Sequence, residues 1–584
     1  MNKLNIDASD SHKQESKTTT RNRRVLIVVA GAVALTLAAC GNSDFSIEQD
    51  GLLAANNGDS AVACSILAGY AIPSSSIGLP TSGASITSAA MISATASGNT
   101  NGEYCMLKGA IKPVDPTAPD IQFQLNIPKN WNHRALQMGG GGYNGAVVTG
   151  LAGIPFAPTD LMPLAQGYAT YGSDSGHQSV NGVVDASFAS NDEALINYGY
   201  AHIKKTHDAV AVVLRRYFGR KVDFKSYFAG GSTGGRESLT AIQRFPADYD
   251  GAFAGSPSAF FTGLRMIGLP VGKANYQVAG GYLNPAKQVL VKQVATSACD
   301  ALDGASDGIV SNIGACKAIA ATTRASLRCP GGQDTGDSCL SDAQLAVIDL
   351  LHEGLELPYV LADDVRRYAG YNAFEGADFS LISTAGLGLG TSEILLDTPG
   401  AIPNGYLFAQ GVQWLRYFVT RDPNYPALGF DPVNPGKYQQ RVVDLSKIIG
   451  ATNPDLSAFN ARGGKLILLH GAADTAVSPN ATTDYFKTVG ARMGQQTVNN
   501  FIRYYTVPGM GHGVGVYVPA WDALKALDNW VTSGVAPDAL PSTDTVSATR
   551  GRSRPLCPYP SWPKYKGSGD INSASSFTCS NSSL

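Results

Sequence analysis

The chain has almost no charge imbalance. Its 44 lysines and arginines nearly cancel its 46 aspartates and glutamates, leaving a net charge of -2 over 584 residues, of which only 15% are charged. Neither nucleic acid nor an anionic membrane surface has an electrostatic handle on such a chain, so nucleic acid is excluded as an expected partner and a small neutral or weakly charged one is favoured. Histidine is scarce and scattered, and no Cys-x-x-Cys pair occurs, which removes the usual spacing of zinc ligands. No internal repeat is evident. The apolar run near the N-terminus, Val25 to Leu37, is too short to span a bilayer comfortably. What is present is an ordinary globular composition, 44% hydrophobic, in a chain long enough for one large domain with an insertion or for two domains.

That apolar run follows Arg21-Asn22-Arg23-Arg24 and ends in small residues, the pattern of an export signal. Leu37-Ala38-Ala39-Cys40 resembles a bacterial lipobox, which makes residues 1–39 a lipoprotein signal, Cys40 the lipidated residue and residues 40–60 a tether. Gly41 follows where an aspartate would favour inner-membrane retention. The expected location is therefore exported, anchored in the outer membrane through lipid alone or otherwise secreted. Removing Cys40 from the nine cysteines leaves eight, an even number for an oxidising compartment. Eight cysteines allow roughly a hundred connectivities. Closeness along the chain favours Cys64 with Cys105, Cys299 with Cys316, Cys329 with Cys339, and Cys557 with Cys579.

Tyr198 to Phe218 has helical spacing, with Gly219 at the C-cap position. Ser226-Tyr227-Phe228-Ala229 reads as a buried strand, Gly230 to Gly235 as a tight turn and Arg236 to Phe245 as a helix. This order of strand, turn and helix is that of a nucleophile elbow carrying Ser232 in Gly-x-Ser-x-Gly. Further strands are expected at Gly251 to Gly255, Lys465 to Leu469 and Phe501 to Val507. Asp474 lies just past the second of these and His512 just past the third. Ser, Asp, His is the chain order of α/β-hydrolases, and the expected fold is a mostly parallel sheet covered on both faces. A serine hydroxyl attacks an acyl carbon only when a base takes its proton, the role of His512, and Asp474 orients that base. The oxyanion needs two amide donors, Thr233 after the nucleophile and one from the glycine loop Gly139 to Gly145. His470 reads as a packed strand-end residue and His177 as structural. The gap from Ser232 to Asp474 far exceeds one crossover. It predicts a lid domain over 256–463, between two parts of a hydrolase domain at 61–255 and 464–584.

These motifs, with Leu556-Cys557-Pro558-Tyr559-Pro560 and Lys566-Gly567-Ser568-Gly569-Asp570 in the tail, resemble the tannase and feruloyl esterase family, including its branch that hydrolyses terephthalate monoesters. The similarity runs from Cys64 to the C-terminus. It implies Gly142 as the second oxyanion donor and the same four disulfide pairs. It also implies structural calcium in Cys299 to Val310, held by the carboxylates of Asp300, Asp303 and Asp307 and the carbonyls of Ala305 and Ile309, a hard-oxygen donor set that suits this ion. Because the aspartates flank a lid cysteine, the loop is expected to lie far from the triad. Two departures stand out. The family has bonded cysteines before the serine and after the histidine, where this chain has Gly231 and Gly513. Cysteines introduced there are expected to close a stabilising bond, provided neither glycine needs a positive φ that cysteine resists. The terephthalate branch also has a lid arginine where this chain has Gly405, with Arg416 nearby.

The expected activity is hydrolysis of esters of aromatic acids, of feruloyl, galloyl or terephthaloyl type, through an acyl-serine. The alternatives are a terephthalate monoester hydrolase proper, a serine peptidase with the same triad, and a lipoprotein that binds a ligand on an inactive scaffold.

Overall fold

The computed structural model describes residues 64–380, 384, 386–395 and 404–581. The expected export signal, Cys40 and the tether lie outside the described residues. A ten-stranded sheet organises the rest: β1 (Ala71–Ile72), β2 (Ala84–Ile92), β3 (Tyr104–Ile111), β4 (Ile121–Pro128), β5 (Arg134–Met138), β6 (Ala169–Ser173), β7 (Lys225–Gly231), β8 (Gly251–Gly255), β9 (Lys465–Gly471) and β10 (Ile502–Val507). Their spatial order is β1-β2-β3-β4-β6-β5-β7-β8-β9-β10.

From β6 to β10 every neighbouring pair is parallel, as the strand and helix alternation predicts for an α/β-hydrolase fold. From β1 to β4, and between β4 and β6, the pairing is antiparallel. The expectation of a mostly parallel sheet is therefore corrected for the N-terminal strands. Short links over 93–103 and 112–120 join β2 to β3 and β3 to β4, and antiparallel neighbours need no crossover.

Alternate residues of the central strands feed opposite layers, because side chains in a strand alternate faces. Helix α1 (His202–Phe218) occupies the expected range, entered through a wider π-helical turn, Asn197–Ala201, and closed at Gly219. On one face, Leu466 and Leu468 of β9 pack with Leu239 and Ile242 of α2 (Thr233–Arg244) and with Tyr485 and Val489 of α5 (Pro479–Met493). On the other, Ile467 and Leu469 pack with Leu524, Leu527 and Trp530 of α6 (Ala523–Ser533).

The segment between β8 and β9 is largely helical and includes α3 (Phe261–Tyr276) and α4 (Tyr406–Gln413). Its apolar core, with Leu264, Ile267, Ile348, Trp414 and Phe418, also takes in Tyr143 and Tyr198 from before the nucleophile. The insertion is thus packed directly onto the glycine loop. Four disulfides join the pairs that closeness along the chain favours. No helix among the described residues is long and apolar enough to cross a membrane.

Candidate active site

Ser232 stands between β7 and α2 with φ 59° and ψ -120°, a conformation that L-residues other than glycine rarely adopt and that costs about 1–3 kcal/mol. The surrounding backbone holds it there. Its N–H donates to Gly255 O at 2.9 Å, and its carbonyl accepts from the amides of Arg236 (3.0 Å) and Ser258 (3.1 Å). The glycines are required by contact: a methyl group on Gly230 would run into the backbone of Gly234, and one on Gly234 would lie 2.8 Å from Gly139 C and Gly140 O.

Asp474 lies just beyond β9 and is fully buried. Its Oδ1 accepts from the amides of Ala476 and Val477, each at 2.9 Å. Its Oδ2 lies 2.7 Å from His512 Nδ1 and 3.3 Å from His470 Nε2. Burial alone would raise the carboxyl pKa. The charge of His512 and the hydrogen bonds from both histidines outweigh that effect and hold the carboxyl well below the ordinary range. His470 is more than a packed strand-end residue, because its ring touches this carboxylate while Nδ1 meets Thr482 Oγ1 at 2.8 Å. His512 rides a tight turn in which Ala473 N donates to Met510 O (2.9 Å) and Gly511 N to Val514 O (2.6 Å).

The glycine loop is bound to α2. Thr233 Oγ1 donates to Gly142 O at 2.6 Å, Gly234 N donates to Gly140 O at 2.7 Å, and Tyr198 OH donates to Gly142 O at 3.0 Å. Glu237 completes the clasp. Its carboxylate accepts from Gly140 N (3.2 Å) and Asn144 Nδ2 (2.6 Å) and lies 3.4 Å from His202 and 3.6 Å from Arg236. Burial favours the neutral acid there, but His202, Arg236 and Asn144 together hold the Glu237 pKa below its usual value. His177, stacked on Phe188 at 3.6 Å, is pushed down to about 3 by burial and is neutral.

The aspartate loop corrects one expectation. It lies against the histidine turn, since Ile309 shares a buried cluster with Val507 and Met510, and a methyl group on Gly509 would lie 3.3 Å from Ile309 Cγ2. A cavity of about 130 Å³ beside His512 reaches Gly308 and Val310 and is walled by Ala473, Thr475, Gly511 and Val514. The loop's insertion address made it look remote because sequence position says nothing about which strand end an insertion folds back on. Within the loop, Asp300 Oδ1 accepts from Gly308 N at 2.9 Å and Asp303 Oδ1 from Ala305 N at 2.9 Å, while Asp307 pairs with Arg554. Burial raises the carboxyl pKa of Asp300 and lifts that of Asp303 to about 6, and the charge of Asp307 adds to both. Elsewhere among the described residues, His207, Asp208 and Asp248 bring three ligand atoms within 4.8 Å of one another. The Lys204 ammonium already fills that site, 2.8 Å from Asp208 and 3.0 Å from Asp248.

Sequence reasoning missed Glu237 and Phe156. A glutamate one turn into a helix reads as a surface residue. Phe156 lies on a loop with no period to mark it, yet its ring meets that of His512 at 5.1 Å.

A family model described as tannase and feruloyl esterase matches residues 105–580. An uncharacterised esterase of Agrobacterium fabrum is 46% identical over 525 residues, covering 88% of this chain and 92% of its own. The mono(2-hydroxyethyl) terephthalate hydrolase of Piscinibacter sakaiensis is 33% identical over 542 residues, covering 83% and 86%. In three dimensions, feruloyl esterase B from Aspergillus oryzae superposes with a TM-score of 0.68 at 23% identity, covering 89% of this chain and 100% of that one.

The clasp yields a prediction. A depressed carboxyl pKa contributes stability that is present above the unfolded value and is lost as pH falls through the folded one. Glu237→Gln should therefore cost on the order of 3 kcal/mol at pH 7, and the deficit against the unsubstituted protein should hold down to about pH 4.5 and shrink below it, from there towards about pH 3. Thermal denaturation across that range checks it. A deficit independent of pH would mean that the carboxylate charge is irrelevant.

Proposed function

The chain belongs to the tannase and feruloyl esterase family, and from that premise we propose that it is an exported serine hydrolase that cleaves carboxylic esters of aromatic acids through an acyl-serine. The observation that carries this reading is the strained Ser232 turn on the same sheet end as the 2.7 Å pair of His512 and Asp474. With Nδ1–H donating to Asp474, His512 presents Nε2 as the base. It takes the Ser232 proton as the oxygen attacks the ester carbonyl. Thr233, at the first position of α2, has an amide with no partner inside the helix. With the Gly142 amide, it is assigned to the oxyanion. Collapse of the tetrahedral adduct expels the alcohol, which takes the proton from His512, and water activated by the same imidazole releases the acid. Ser232→Ala and His512→Ala should each lower kcat on methyl ferulate by several orders of magnitude with the melting temperature little changed, and Asp474→Asn somewhat less. Folded Ser232→Ala retaining most of the activity would refute the mechanism.

Export is supported by the four disulfides and the N-terminal pattern, and Cys40 is assigned as the lipid attachment. Calcium is assigned to Asp300, Asp303 and Asp307 with the carbonyls of Ala305 and Ile309. The support is chemical, three carboxylates and two carbonyls on one short loop, the hard oxygen donors calcium takes, although the Asp307 carboxylate is paired with Arg554 and would have to turn from it to bind an ion. The ion would stiffen the loop beneath the histidine turn. Chelation should lower the melting temperature by several degrees and added calcium should restore it, by ligand linkage. No change on chelation, with no calcium found by metal analysis, would remove the ion from the account.

Selectivity follows from Gly405, the N-cap of α4, whose amide donates to Tyr276 OH at 3.0 Å. It offers no cation for a substrate carboxylate, and the Nε of Arg416 is turned to Tyr425 O at 3.2 Å. A guanidinium bound to a carboxylate is a strong, two-pronged contact, so its absence should weaken binding of a monoacid. Methyl ferulate should be turned over with kcat/KM at least about tenfold above that of the terephthalate monoester, a difference of about 1.4 kcal/mol. Equal turnover would point to another cation in the pocket.

A further inference from the structure

Three glycines from three different strand ends leave room for one aromatic ring. A methyl group on Gly231, before the nucleophile, would fall within the Cδ2–Cε2 edge of the Phe156 ring. One on Gly255, at the end of β8, would lie 2.7 Å from Cδ2. One on Gly513, after the histidine, would lie 3.1 Å from Cε1 on the opposite edge. The ring therefore stands as a wedge between the nucleophile turn and the histidine turn. It meets the His512 imidazole edge to face, with centroids 5.1 Å apart and planes at 65°.

Phe156 is itself held in an unfavourable backbone conformation, φ 65°. For a bulky residue this is an outlier that persists only when its surroundings enforce it. The enforcement is visible on either side, where Ile154 and Ala157 are buried in the cluster beneath the sheet end and Pro155 fixes the chain between them. A segment anchored twice drives one ring into the space that three missing side chains leave.

We infer that Phe156 is the positioning residue that holds the His512 ring over the nucleophile turn, an inference that rests on the esterase reading above. Asp474 fixes only one end of the imidazole, at Nδ1, and leaves the ring free to pivot about that bond. The Phe156 ring, wedged between the two turns and against the imidazole, limits that pivot and sets the spacing at which the His512 ring stands from the nucleophile turn. The condition set for a stabilising bond between cysteines at 231 and 513 is not met. The first would displace the ring, and the second would sit at φ 79°.

The test uses the full chain with p-nitrophenyl acetate, whose acyl group is small, and with phenylmethanesulfonyl fluoride, which reports the reactivity of Ser232 directly. Phe156→Ala should lower kcat at least tenfold with KM within twofold and slow sulfonylation in parallel, and Phe156→Leu should fall between it and the unsubstituted protein. Gly255→Ala should reproduce the loss by displacing the ring. Added to Phe156→Ala it should cause little further loss, because the ring is gone and the closest contact that remains is one of 3.3 Å with Phe253 Cε1. Folded Phe156→Ala with kcat within twofold of the unsubstituted protein, a change confined to KM, or additive losses in the double variant would each overturn the inference. If Phe156→Ala does not fold, the Leu variant and Gly255→Ala carry the comparison. Failure of the unsubstituted protein to hydrolyse the ester or to react at Ser232 would instead sink the esterase reading.

Discussion

Backbone lies against backbone where the glycine loop meets the start of α2, and the site is built outwards from that contact. A methyl group on Gly139 would lie 2.6 Å from the Gly234 Cα, so no side chain fits between them. The approach brings the Thr233 hydroxyl within reach of Gly142 O and the Glu237 carboxylate within reach of Gly140 N. Ser232 accepts its strained geometry because its own N–H and C=O are both used by neighbouring backbone. A few kcal/mol of local strain is held by hydrogen bonds that a looser turn would leave unmade.

Buried charge is the second organising element. Arg236 is fully buried and donates to the carbonyls of Tyr198, Gly199 and Ile449, tying the π-helical turn before α1 and the last turn of an insertion helix to the nucleophile helix. Removing one member of such a network leaves the others unpaired in a low dielectric, which is more costly than the net worth of any one bond. The insertion is thus linked to the nucleophile by a charged residue as well as by the apolar core around Tyr143 and Phe418.

How much of this was readable in the sequence depended on the kind of signal. The strand-end placement of Ser232, Asp474 and His512 was legible because each follows a short buried strand of the parallel half and sits in or beside a glycine turn. The cysteine pairs were legible because the fold joins consecutive cysteines along the chain, the arrangement that closeness favours among about a hundred. The antiparallel strands were not, since Gln124 and Asn126 of β4 are polar yet buried, hydrogen-bonded to Thr149 O, and blur the alternation. Glu237 was hidden for a related reason: a helix carboxylate is ordinarily solvated, and only the tertiary approach of the glycine loop makes it a clasp. Phe156 left no trace, because its meaning lies in three glycines remote from it in sequence.

The seam beneath the histidine turn has a consequence for how such proteins can be recombined. Asp307, in the insertion, pairs with Arg554 and lends its carbonyl to Arg552, both in the C-terminal segment, while Ile309 packs under Gly509. Insertion, histidine turn and tail are therefore mutually fitted surfaces. An insertion transplanted from a relative as a self-contained cassette would arrive with an aspartate loop shaped to a different tail, and the mismatch would be felt first beneath the turn that carries His512.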